Sequence, residues 1–145
     1  MGMVLLVDDD EDDRMLMRMA LHSLNASVPM TEFENGSQLL AFLQQTEAAG
    51  SAGFIIVLDK FMPILDGFDT LAMLKQHPDF ARIPVVLFVN PQDDQDMERC
   101  TSLGATACLI KPLHYDEMLG IMQTVYSYWQ HSNHPPATGA EPPTP

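Results

Sequence analysis

The chain has few cysteines, few basic residues and no long apolar run. Two cysteines, Cys100 and Cys108, make neither a disulfide framework nor a zinc site. Seven Lys and Arg stand against 20 Asp and Glu, a net charge of −13 with a sequence pI near 4.4. So acidic a surface repels phosphate backbones and anionic lipid, which argues against direct nucleic-acid or membrane binding. No apolar run approaches the length of a membrane span, and no signal peptide is read at the start. Met1-Gly2 does not open a myristoylation signal, because Leu6 stands where that signal requires Ser or Thr. These absences describe a soluble, cytoplasmic protein.

What is present suits one globular domain. The 145 residues are 46% hydrophobic and 19% charged, enough to bury a single core. From His131 to Pro145 there are five prolines and no large apolar residue. We therefore place the domain at residues 1–131 and a disordered Pro-rich tail at 132–145.

Within the domain two periods alternate. Strands are expected at Met3–Val7, Val28–Phe33, Phe54–Leu58, Val85–Val89 and Thr106–Ile110. Three of them are almost wholly apolar, the signature of strands covered on both faces. Between them run helical stripes: Leu16, Met17, Ala20, Leu21 and Leu24; then Leu39, Leu40, Phe42 and Leu43; then Phe68, Leu71, Ala72 and Leu74. A weaker helix lies between Asp93 and Leu103 and stops at Gly104; the last carries Met118, Ile121, Met122, Val125 and Trp129. Trp129 is expected in the core and Tyr128 exposed. The loop Ala48–Gly53 reads as small and flexible. Five βα alternations predict an α/β fold, a five-stranded parallel sheet with helices on both faces.

In such sheets ligands gather at the carboxyl ends of the strands. Asp8 and Asp9 follow the first strand, Asp59 the third, Asn90 the fourth, and Lys111-Pro112 the fifth. Asp10 to Asp13 read as acids favoured by a helix N-terminus, with Arg14 and Arg18 as counter-charges. Asp8 and Asp9 differ, because they abut a buried strand where an unpaired carboxylate is costly. A hard divalent ion between them would relieve their repulsion, and oxygen-only ligation completed by water suits Mg²⁺. Asp59 lies well before the next helix, so capping explains it poorly. A carboxylate there can attack phosphorus if cations neutralise the phosphoryl oxygens, and Lys111 can supply one. A Lys-Pro bond in a tight turn is also a candidate cis peptide.

Val7-Asp8-Asp9, Asp59 with Met62-Pro63 and Gly67, Gly104-Ala105, and Lys111-Pro112 together resemble the receiver domain of bacterial response regulators. The resemblance covers about residues 3–130. It implies a doubly wound, flavodoxin-like three-layer sandwich that accepts a phosphoryl group, with Mg²⁺, from a sensor histidine kinase or phosphotransfer protein. By that resemblance Asp59 is the phospho-acceptor and Lys111 the cation that pairs with the phosphoryl group. Asp8, Asp9 and Asp59 are metal ligands, with Phe61 contributing a backbone carbonyl. It further implies that side chains at Phe61 and Pro91 govern access of the water that hydrolyses the acyl phosphate.

Two positions depart from the family pattern. Val89 stands where the family carries Thr or Ser, although a one-residue shift puts Asn90 there instead. Cys108 stands where the family carries Tyr or Phe. Val89, Asn90 and Cys108 are thus the switch positions, and the usual hydroxyl-to-ring relay is missing. The expected protein is a standalone response regulator that turns over no external substrate and signals to an unknown downstream protein. Its contact face would comprise the fourth and fifth helices and the fifth strand. The ending Tyr126-Ser127-Tyr128-Trp129 resembles that of small standalone receivers paired with phytochrome-type kinases. Two other functions compete: a receiver-like binding module that works without phosphorylation, and a haloacid-dehalogenase-like phosphatase, for which Phe61 replaces the required second Asp.

Overall fold

The computed structural model describes residues 2–90 and 92–133. Its elements in chain order are β1 (Val4–Val7), α1 (Glu11–Leu24), β2 (Met30–Phe33), α2 (Gly36–Gln44) and β3 (Ile55–Asp59). There follow α3 (Gly67–Gln76), β4 (Val85–Val89), α4 (Asp94–Ser102), β5 (Ala107–Ile110) and α5 (Tyr115–Asn133). All five strands are parallel in the order β2-β1-β3-β4-β5, so strand order reverses between β1 and β3. This is the doubly wound, flavodoxin-like sandwich.

Side-chain alternation along the strands divides the core in two. Val4, Leu6, Ile55, Val57, Val86 and Phe88 pack with α1 and α5. Leu5, Val7, Ile56, Leu58, Leu87 and Val89 pack with α2, α3 and Cys100 of α4. The three central strands are buried throughout, which is why they read as unbroken apolar runs.

The helix ends follow local chemistry. The Asp10 carboxylate accepts from the N–H groups of Asp12 and Asp13, so it caps α1 as the acidic run suggests. Gly104, at φ 92°, ends α4 in the left-handed conformation that glycine adopts without a Cβ clash. Helix α4 is the most polar, and its only buried residues are Asp96 and Cys100.

Several expectations need correction. Helix α5 reaches Asn133, two residues past the boundary placed at 131. It extends because Asn133 is anchored: its Oδ1 accepts from the Gly2 N–H at 2.9 Å and its Nδ2 donates to the Gly53 carbonyl at 2.9 Å. Trp129 is 4% exposed and donates to the Gly2 carbonyl at 3.0 Å, while Tyr128 is half-buried rather than exposed. The Ala48–Gly53 loop contains a short 3₁₀ turn whose Ala49 is fully buried, so it is packed against the core. Arg14 and Arg18 do not neutralise the acidic run; both reach Glu32 on β2. Residues 134–145, on which the tail was placed, lie outside the described residues, and no described helix is long and apolar enough to cross a membrane.

The cysteines need the largest correction. Cys100 on α4 and Cys108 on β5 are joined by a disulfide. Sequence spacing could not disclose this, because the Gly104 turn folds β5 back beside α4 and brings the two Cα atoms to 6.1 Å.

Candidate functional site

Strand alternation carries three candidate site side chains to one side of the sheet. Val4 and Leu6 of β1 point toward α1 and α5, and Asp8 continues that row. Ile55 and Val57 are followed in the same way by Asp59, and Ala107 and Leu109 by Lys111. Because β1 and β3 are neighbours, Asp8 and Asp59 meet at the carboxyl edge, where the strand order reverses.

The geometry there is tight. Lys111 Nζ lies 2.5 Å from Asp8 Oδ2, 2.7 Å from Asp13 Oδ2 and 3.4 Å from Asp59 Oδ2. Asp8, Asp9 and Asp59 each offer a carboxylate oxygen within 4.8 Å of the others. Asp8 is fully buried and Asp59 is 8% exposed, whereas Asp9 is open to solvent. The backbone also braces Asp8, whose Oδ1 accepts from the Asp10 N–H at 2.9 Å and whose carbonyl accepts from Arg14 Nη1 at 2.5 Å. A cleft of about 430 Å³ opens beside the cluster, lined by Asp9, Lys60, Phe61, Met62, Pro63 and Asp66.

Burial dominates the electrostatics. Desolvation pushes the Asp59 carboxyl up to about 6, opposed by the Lys111 charge and reinforced by Asp8. Desolvation likewise raises Asp8 above the usual carboxylate range, against the Lys111 hydrogen bond. Burial alone would lower Lys111, but its hydrogen bonds to Asp13 and Asp8 outweigh that and hold it firmly protonated. Asp8, Asp13 and Asp59 thus share one ammonium, and Asp9 adds a fourth carboxylate beside Asp8 and Asp59. The surplus negative charge and the all-oxygen donor set fit a hard divalent cation at Asp8, Asp9 and Asp59.

The loop after β3 holds Asp59 in place through Gly67. A Cβ at residue 67 would sit 2.4 Å from the Asp59 carbonyl oxygen, and the Gly67 N–H donates to the Lys60 carbonyl at 2.8 Å. Only glycine allows α3 to start so close to the strand. Earlier in the loop Ile64 adopts φ 72°, and the Leu65 N–H donates to the Pro63 carbonyl at 2.7 Å. This is the strained, positive-φ form of the γ-turn.

The other named positions fall as follows. Phe61 lines the cleft with 58% of its surface exposed, and Pro91 lies outside the described residues. Val89 is 5% exposed and packs in the apolar cluster under α3. The Asn90 Oδ1 accepts from the Gln92 N–H at 3.0 Å, and the Asn90 N–H donates to Asp96 Oδ2 at 3.1 Å, so Asn90 shapes the entry to α4. Cys108 is bonded to Cys100. The Lys111-Pro112 peptide is trans; no described peptide is cis, and the three carboxylates position the ammonium without one.

Sequence reasoning missed Asp13, Lys60 and Asp96. Asp13 looks like its neighbours in the acidic run, and only the fold shows it facing Lys111. Lys60 carried a legible signal, a basic residue directly after Asp59 in a chain with only seven. Its Nζ crosses to Asp96 Oδ2 on α4, at 2.6 Å.

The family profile described as the response regulator receiver domain matches residues 4–123. Response regulator Rcp1 of Synechocystis sp. (strain ATCC 27184 / PCC 6803 / Kazusa) is 29% identical over 128 residues, covering 87% of this chain and 87% of Rcp1. The crystal structure of the Mn²⁺-bound form of Rcp1 superposes with a TM-score of 0.72 at 26% identity, covering 98% of this chain and 99% of that one. The phosphorylated cyanobacterial phytochrome response regulator RcpA gives a TM-score of 0.74 at 26% identity, with 97% of each chain covered. With its sheet order, its acidic cluster and a profile match over most of its length, the chain belongs to the response regulator receiver domain family.

Proposed function

We propose that this receiver accepts a phosphoryl group on Asp59 from a sensor histidine kinase or phosphotransfer protein and signals in the cytoplasm by protein–protein contact. The observation that carries this reading is the meeting of Asp8, Asp9 and Asp59 with the Lys111 ammonium at one strand edge. The phosphorylated state of RcpA and the Mn²⁺-bound state of Rcp1 support it by analogy.

An Asp59 oxygen attacks phosphorus, the P–N bond to the donor's phosphohistidine breaks, and the imidazole leaves. The ordinary value of Asp59, raised only to about 6, leaves most of the carboxylate ionised and nucleophilic at neutral pH. Lys111, already 3.4 Å from Asp59 Oδ2, stays protonated and turns toward the new phosphoryl oxygens. Asp8, Asp9, Asp59 and the Phe61 carbonyl would hold Mg²⁺, which supplies neutralising charge to those oxygens. The intact acidic set with its lysine favours this reading over a module that works without phosphorylation.

The route outward differs from the family's usual one. Val89 has no hydroxyl to hold a phosphoryl oxygen, and Cys108 has no ring. One hydrogen bond to a charged group is worth about 1.5–3 kcal/mol, and its loss reduces a population shift by roughly tenfold to a hundredfold. The α4–β5–α5 face should therefore respond weakly.

The test is incubation with acetyl phosphate and Mg²⁺, followed by assay for an acid-stable, base-labile adduct. Labelling of the parent and its loss in Asp59→Asn are expected. Equal labelling of both would overturn the assignment.

A further inference from the structure

Helix α4 is held to the sheet in an unusual way. Its buried residues are Asp96 and Cys100, one helical turn apart. Neither supplies the apolar area that docks the other helices. Asp96 is tied to Lys60 by an ion pair of 2.6 Å, and Cys100 is tied to Cys108 of β5 by a covalent bond. The position of α4 therefore depends on this polar tie, the sulfur–sulfur tie and the Arg99 guanidinium stacked 4.5 Å over the Phe68 ring of α3.

We infer that Cys100 and Cys108 form a reversible dithiol–disulfide centre, opened by a dithiol reductant, whose oxidised form clamps α4 onto β5. The two sulfurs are unequal in access: Cys100 is fully buried, whereas Cys108 keeps part of its surface in solvent. A reductant thiolate attacks Cys108 Sγ, the Sγ–Sγ bond breaks, and Cys100 leaves as a thiolate that takes up a proton. The reductant's second thiol then attacks its own sulfur in the mixed disulfide and releases Cys108. Two electrons and two protons pass to the cysteines, and the reductant leaves as a disulfide. Oxidation runs in reverse against a small-molecule disulfide such as oxidised glutathione.

Opening the bond leaves α4 on the Lys60–Asp96 pair, the Asn90 N–H bond to Asp96, the Arg99 guanidinium 4.5 Å over the Phe68 ring, the buried Cys100 side chain and the Leu103 contact at its end. The clamp closes a short loop, residues 100–108. By chain-entropy arguments the local opening of α4 should become about tenfold to a hundredfold more frequent on reduction. Neither the bond nor its effect requires a phosphoryl group, so this inference is independent of the reading of Asp59.

The experiment is amide hydrogen exchange on the full chain, after oxidised glutathione or after dithiothreitol, with alkylation and mass spectrometry to count free thiols. No free thiols are expected after oxidation and two after reduction, with exchange in 94–102 faster by at least about tenfold on reduction. Strands β1 and β3 should keep their protection. The Cys108→Ser variant should show the fast exchange under both conditions, and Asp59→Asn should keep the full redox response. Two free thiols after oxidation, unchanged exchange in 94–102, or an equal loss of protection in β1 and β3 would overturn the inference.

Discussion

Lys60 and Asp96 join the residue that follows Asp59 to the inner side of α4, with Nζ and Oδ2 2.6 Å apart and the side chains 17% and 6% exposed. Asp96 Oδ2 also accepts from the Asn90 N–H, so three segments around the site meet at one oxygen. Burial would raise Asp96, but the Lys60 hydrogen bond and the Asn90 N–H outweigh it and hold the carboxyl below its usual range. Its folded value lies below its unfolded one, so the pair's contribution is present at neutral pH and is lost as pH falls through the lowered value.

Removing one partner should cost more than removing both. Lys60→Met leaves a buried carboxylate without its ammonium and should destabilise by about 2–4 kcal/mol. Lys60→Met with Asp96→Leu removes both charges and should recover at least half of that loss. Urea unfolding at pH 7 checks this; a double variant no more stable than Lys60→Met would show that the buried charge is not the cause.

Asp59 should destabilise the cation-free protein at neutral pH. Its carboxyl is raised to about 6 against an ordinary 3.8, so the folded state holds its proton more tightly. The resulting cost is absent below 3.8, grows between the two values and is complete above about 6. Asp59→Asn should therefore stabilise the chain in chelator by about 1–3 kcal/mol at pH 8, each pH unit being worth 1.36 kcal/mol. The gain should fade toward pH 4. Urea titrations across that range check the prediction, and a gain independent of pH would refute it.

Phe61 should slow loss of the phosphoryl group. It lines the cleft with a ring that offers water no hydrogen bond, and the Lys60 ammonium sits 4.8 Å from that ring's centre. Phe61→Asn opens the cleft and supplies an amide that can orient water. Hydrolysis of the Asp59 adduct, followed by its decay after donor removal, should speed up several-fold. An unchanged decay would mean that the ring does not shield the phosphorus.

Ile64 should carry removable strain. A β-branched residue at φ 72° costs of order 1–3 kcal/mol, and at 82% exposure its side chain regains little by packing. Asn tolerates that conformation, so Ile64→Asn should stabilise by about 1 kcal/mol. Thermal melting reads this directly, and a lower melting temperature would be the contrary result.

The fold was legible because the sheet is buried on both faces. Val4–Val7, Ile55–Leu58 and Val85–Val89 have no polar side, which a chain of this size achieves only under two helical layers. Asp8 and Asp59 were legible because each directly follows or ends such a strand, and Lys111 because it closes the shorter β5 run ahead of a proline. Asp13, Asp96 and Cys100 were not, since they sit on helices whose rotation about the sheet depends on packing. Asp96 in particular reads as a solvated acid in the first turn of a polar helix, until Lys60 is seen reaching it. The disulfide stayed hidden for the same reason: cysteines eight positions apart become partners only after the Gly104 turn.

The hydrogen bonds among Gly2, Gly53, Trp129 and Asn133 place the two ends of the described chain side by side at the amino edge of the sheet. The carboxylates and Lys111 occupy the opposite edge, with the full length of the strands between. A peptide linker of a few residues between Gly2 and Asn133 could therefore close residues 2–133 into a ring, or carry the reading order of the strands around in a circular permutation, without crossing the carboxylate–lysine pole. A cargo domain grafted onto Gly2 or Asn133 would leave from the same corner of the molecule, facing away from the carboxylates and Lys111.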